Sequence, residues 1–228
     1  MEITSGGGPR VLPEGGTHVA RCVKIIDLGT QETEFEGKKG KAKKVQFSFE
    51  LIGQTYLFDE GGEDEKEVPF IVHKEYTASI GAKANLAKDL ASWLGKKLDP
   101  KVPFKPEVLL GKECQVVVLI ETSKKSGEDY AKIGAIMAVP AKMKVDRAAS
   151  NKVFLSLNPD EFDVEVYKEL PTFLRDKIKA APEFIALNVK VDDRKKKNDD
   201  QDDDEQQEKP SRNAKAQPQK KDRKKTPF

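Results

Sequence analysis

Between Lys44 and Leu51 the chain alternates strictly. Val45, Phe47, Phe49 and Leu51 are apolar, and Lys44, Gln46, Ser48 and Glu50 between them are polar. Successive side chains of a strand point to opposite faces, so this period demands a strand with one buried face. A lone strand buries nothing, and the flanking sequence supplies partners. Residues 17–28 (THVARCVKIIDL) are β-rich and apolar and read as a long first strand, which Gly29 is able to bend. The charged stretch 35–41 (FEGKKGK) reads as a hairpin tip, 53–66 as a long acidic excursion, and 67–77 (EVPFIVHKEYT) as a third strand.

The period then changes. Ile80, Ala84, Leu86, Ala87, Leu90, Trp93 and Leu94 fit one broad face of a helix that ends near Gly95. A connector with Pro100, Pro103 and Pro106 leads to a fourth strand over 113–122. A basic turn over 123–127 follows, then a fifth strand over 130–139, stopped by Pro140. Three strands, a helix and two strands is the order of an OB-type barrel: mainly β, five strands, with the helix between strands three and four. Another small β-barrel and a two-layer α+β sheet are the alternatives with this order.

Four regions follow. Residues 1–16 are a flexible lead-in and 17–141 the barrel. Residues 142–191 are a short α/β extension expected to pack on the barrel. It comprises a linker (142–151), apolar patches at 153–157 and Phe162, a short helix within 167–180 broken or started near Pro171, and 182–191 as a strand or a covering segment. From Asp192 onward lie 12 of the 41 basic and 10 of the 39 acidic residues, with Phe228 the one aromatic. Such a segment cannot bury enough to fold, so 192–228 is expected to be disordered. The remaining body has 29 residues of each sign, so any affinity for nucleic acid must come from local patches.

No run approaches the length of a transmembrane helix and the N-terminus has no apolar signal core, so a soluble cytoplasmic protein is expected, with no membrane partner. Cys22 and Cys114 lie in apolar strand-like runs and read as reduced, buried small hydrophobes. With His18 and His73 far apart, they make no zinc site. No phosphate-cradling Gly loop, Gly-x-Ser-x-Gly or His-Glu-x-x-His occurs. The acidic clusters at 59–65 and 199–205 have loop or tail composition, not the rigid scaffold a metal site needs. No catalytic residue, metal or cofactor is therefore expected, and the chain does not read as an enzyme.

Basic and aromatic residues remain. Single-strand binders need a positive groove for phosphates and exposed rings on which bases stack. Lys38, Lys39, Lys41, Lys43 and Lys44 lie between strands one and two, and Lys124 and Lys125 between strands four and five. These are the two loops with which OB folds grip oligonucleotides, although lysines at turns are also ordinary solvated residues. Lys74 and Tyr76 share the parity of Val68, Phe70 and Val72 and are expected outside the core where the third strand leaves it. Tyr130 and Lys132 share a strand face opposite Ala131 and Ile133, as a stacking-plus-phosphate pair, unless Tyr130 caps the barrel rim. Phe47, Phe49 and Trp93 read as core.

Residues 12–23 (LPEGGTHVARCV) and 27–31 (DLGTQ) resemble the N-terminus of bacteriophage replication-module proteins regarded as single-stranded DNA-binding. Residues 74–77 (KEYT), 85–90 (NLAKDL) with Trp93, 109–111 (LLG) and 130–133 (YAKI) continue the resemblance, which spans about 11–185. It implies a role in DNA replication or recombination inside an infected bacterial cell. The chain also ends Pro227-Phe228 behind the acidic block 199–205, similar to the partner-recruiting tail tip of bacterial single-strand binders, but with Lys224 and Lys225 where those carry acids. The expected partners are thus single-stranded DNA and, through the tail tip, replication or recombination proteins. The alternative is a non-catalytic phage accessory protein that binds a host or phage protein; a nuclease or recombinase would need clustered acids on structured elements.

Overall fold

The computed structural model describes residues 11–35, 37–58, 66–124 and 126–189. They form a mainly β molecule built on a curled antiparallel sheet of five strands: β1 (Gly16–Phe35), β2 (Lys38–Phe58), β3 (Lys66–Thr77), β4 (Glu113–Thr122) and β5 (Asp129–Met137). Their order is β3-β2-β1-β4-β5. The sheet curls far enough that Lys74 on β3 donates to the Gly134 carbonyl on β5 at 3.4 Å. Helix α1 (Asn85–Leu94) and a 3-10 turn (Pro106–Leu109) precede β4.

The first hairpin turns within the stretch read as its tip, but more tightly: β1 runs to Phe35 and β2 starts at Lys38, so Lys38–Lys41 are strand residues. Their register sets Glu32 opposite Lys41 and Glu34 opposite Lys39. Opposite charges face to face support a ladder, so a stretch with loop-like composition extends as strand. Helix α1 likewise begins later than the apolar pattern, leaving Ile80 and Ala84 ahead of its first turn.

One core lies inside the curl. Val45, Phe47, Phe49 and Leu51 face Ile25, Val72, Val116 and Ile133, and Leu86, Leu90 and Trp93 of α1 close one side. The Trp93 ring meets Phe49 edge-on at 5.6 Å, and its indole N–H donates to the Glu113 carbonyl at 2.7 Å. A buried indole needs such a partner. Cys22 and Cys114 are free and buried, and burial pushes the Cys22 thiol up to about 12.

The polar face of β2 departs from the expected pattern: Gln46, Ser48 and Glu50 are buried too. For Glu50 the partners come from the segment after β5. The strand β6 (Val153–Leu155) pairs in parallel with Lys24–Ile26 of β1, taking over the edge that β4 leaves at Arg21. Beyond it come three short helices, α2 (Val164–Lys168), α3 (Thr172–Lys179) and α4 (Pro182–Leu187). Residues 182–187 are therefore helical, started by Pro182 in the first turn and ended by Asn188 at φ 50°. Ile26 and Leu28 of β1 form a second core with Leu155, Leu157, Tyr167, Leu170, Leu174, Ile178 and Ala181. Gly29 sits at a β-bulge with φ 68°, and Ala181 occupies the space a Cβ would need there.

Between β5 and β6 the chain crosses the sheet as a strap. Arg21 donates from Nη2 to the Val145 carbonyl at 2.7 Å and from Nε to the Asp146 carbonyl at 2.6 Å. Its strand neighbour Glu50 accepts from the amides of Ala149 at 2.6 Å and Ser150 at 2.7 Å. The buried Glu50 carboxylate is satisfied by backbone, which is why a charge is tolerated there.

Candidate nucleic-acid interface

The lysines of the first hairpin are strand residues. Lys38, Lys39 and Lys41 are exposed; Lys39 and Lys41 each face a glutamate of β1, and Lys43 pairs with Asp27 at 3.0 Å. An exposed pair such as Lys43–Asp27 contributes only about 0–1 kcal/mol to stability, and no described residue forms an ion pair with Lys38, Lys39 or Lys41. Lys44 differs. It stands opposite Gly29 and Thr77, and no described residue forms an ion pair with it.

Lys44 and Lys74 come together. With Lys83, which precedes α1, they line a depression of about 710 Å³ together with Glu75, Thr77, Ser79 and Asn85. Lys83 was not singled out from the sequence because it lies in a turn-like stretch between strand and helix. Only the fold sets it beside β2 and β3.

Tyr76 overturns an expectation. It is 4 % exposed, its ring meeting Phe47 edge-on at 5.6 Å. Its hydroxyl donates to Asp89 Oδ2 at 2.7 Å, and the Lys74 ammonium lies 2.8 Å from the same oxygen and 5.4 Å from the Tyr76 ring centre. Burial first, then the hydrogen bond and charge of Asp89, push the tyrosine hydroxyl far above its ordinary value. The third strand does not leave the core at its end. It stays covered because α1 brings Asp89 to receive both polar groups, so Tyr76 is unavailable for stacking and Lys74 is half-buried.

Tyr130 and Lys132 do share an exposed face, and Tyr130, 37 % exposed, belongs to neither core. Both reach Glu121 on β4. Tyr130 donates to Glu121 Oε2 at 2.9 Å, and Lys132 lies 3.1 Å from Oε1. The hydrogen bonds from Lys132 and then Tyr130 hold the Glu121 carboxyl below its usual range, and Glu121 in turn raises both partners. Lys124 is exposed in the turn beside them, where Glu128 and Asp129 also line the surface. Lys125, Pro227 and Phe228 lie outside the described residues, as do the acidic clusters at 59–65 and 199–205.

Two features were missed from sequence. Tyr56 and Phe58 lie on the outer end of β2, which pairs with 66–69 of β3 where an acidic loop was expected to begin. Tyr56 stacks obliquely on Phe70 at 4.8 Å, and Phe58 is exposed. The β-favouring run Thr55-Tyr56-Leu57-Phe58 was the available signal. The strap, read as a linker, carries Lys142, Lys144 and Arg147.

Among the described residues no three His, Cys, Asp or Glu side chains are grouped to hold a metal, and no helix is long and apolar enough to cross a membrane. No family model matches the chain, and no curated protein matches it.

Proposed function

We propose that this chain is an OB-like single-stranded DNA-binding protein that acts without catalysis in bacteriophage DNA replication or recombination, in the cytoplasm of the infected cell. The observation that carries the reading is the basic path along β2: exposed Lys38, Lys39 and Lys41 lead to Lys44, which lines the depression together with Lys74 and Lys83. A path of ammonium groups that ends in a depression suits a flexible polyanion better than a compact ligand. The strand order, with β3 and β5 brought near each other, is compatible with a five-stranded, partly open barrel of the OB type. Tyr130 and Phe58 offer exposed rings for bases. The resemblance of residues 11–185 to phage replication proteins supports the same reading, and the Pro227-Phe228 tip is proposed to recruit replication or recombination partners.

The test is binding of a labelled single-stranded oligonucleotide, with duplex competitor, over a salt series. Single strands should win, and the affinity should fall steeply with salt through counterion release. Changing Lys44 and Lys83 to alanine should flatten the salt slope by up to about 1.4 units, at about 0.7 per phosphate contact. Salt-insensitive binding, or none, would instead favour the accessory protein that binds another protein.

A further inference from the structure

Lys43 of the first hairpin and Lys132 of β5 are paired with carboxylates, whereas the cations of the strap are not. Lys142, Lys144 and Arg147 are exposed, and no described residue forms an ion pair with any of them. Asp146 is the one acid between Lys142 and Lys152. The strap is also fastened in an unusual manner. Arg21 takes two of its carbonyls and Glu50 two of its amides, so the hold is entirely on backbone. Arg21 and Glu50 are direct partners across β1 and β2. Their charges act on the strap, which fixes its course over the sheet while leaving its side chains to solvent. The end of the Lys152 side chain lies beside Gly111, in the turn before β4.

We infer that the strap is a second, preordered phosphate-binding track for single-stranded DNA, with Lys142, Lys144 and Arg147 as its contacts. The inference rests on the single-strand reading above but concerns a different surface. Cations on a fixed backbone lose less freedom on meeting phosphates than cations on a loose linker, so the clasp contributes to affinity by preorganisation. A strand that engages both the β2 path and the strap would show a salt dependence that counts the contacts of both.

The test uses the full chain, labelled oligo(dT) and a salt series. Changing Lys142, Lys144 and Arg147 together to alanine should leave the melting temperature unchanged, since all three are exposed. It should flatten the salt slope by up to about 2 units, so that the parent-to-variant affinity ratio shrinks roughly 20-fold between about 50 and 200 mM salt. Glu50→Gln separates a track from loose charge. It removes a negative charge, so bulk electrostatics predicts equal or tighter binding. A preordered strap predicts weaker binding, read on samples shown to be folded by their melting transition. If the triple variant keeps the parent's slope while the Lys44 and Lys83 variant loses affinity, the strap track is wrong and the single-strand reading stands. If Glu50→Gln binds as tightly as the parent, preorganisation is wrong. If the parent itself does not bind oligo(dT), both readings fall.

Discussion

The molecule contains two clusters of the same three components. On β3, Lys74 and Tyr76 converge on Asp89 of α1; on β5, Tyr130 and Lys132 converge on Glu121 of β4. In each pair lysine and tyrosine stand two residues apart on one strand face. The first cluster is covered by α1, its tyrosine against Phe47; the second has no element above it among the described residues. Identical chemistry thus serves as a lock between helix and sheet in one place and as an accessible, self-neutralised surface in the other. What lies over a strand, not its local pattern, decides the role.

Substitution should separate the two. Tyr76→Ala removes a buried ring and leaves Asp89 and Lys74 without their partner, with an expected loss on the order of 3–5 kcal/mol of stability, measured by denaturant unfolding. DNA affinity of the folded fraction should not change. Tyr130→Ala should do the reverse. Stability should stay within about 0.5 kcal/mol, while single-strand affinity drops by about 1–3 kcal/mol with little change in salt slope. Equal effects of the two substitutions on stability would erase the comparison.

A smaller effect sharpens it. Glu121→Gln releases Lys132 from its carboxylate, so single-strand binding should tighten a few-fold and the salt slope steepen by about 0.7 units. An unchanged slope would remove Lys132 from the interface. The smallest effect is a difference in ionisation. Both hydroxyls are raised above the ordinary tyrosine value of 10, Tyr130 by its hydrogen bond to Glu121 and Tyr76 first by burial. A folded-state value above the unfolded one means that the stabilisation is present below pH 10 and is lost as the pH rises beyond it. Tyr76 should therefore ionise only together with unfolding, reported by the single tryptophan, Trp93, whereas Tyr130 should ionise reversibly in the folded protein. Phenolate absorbance of the Tyr76→Phe and Tyr130→Phe variants assigns the two steps.

Some of the site was legible and some was not, for identifiable reasons. Tyr130 and Lys132 were readable because β5 is exposed on one face, so parity alone sorts its residues. Tyr76 was not, because parity put it on the core face and only the docking of α1 determines whether that face is still covered at the strand's end. The lysines at 38–44 were recognised as basic but taken for a loop. That Lys39 and Lys41 stand opposite Glu34 and Glu32 depends on register, and register depends on where the turn falls.

Local alternation was enough to place Val45, Phe47, Phe49 and Leu51 in a core, because the pleat translates period two directly into two faces. It could not reveal that Gln46, Ser48 and Glu50 are buried as well. For Glu50 the partners lie about a hundred positions further along the chain, in the amides of Ala149 and Ser150. Composition likewise showed that the body of the chain is electrically balanced, but not where its charges cancel. Cancellation falls off with distance across space, not along the sequence, so only the folded chain separates the paired Lys43, Lys74 and Lys132 from the unanswered Lys44, Lys142, Lys144 and Arg147.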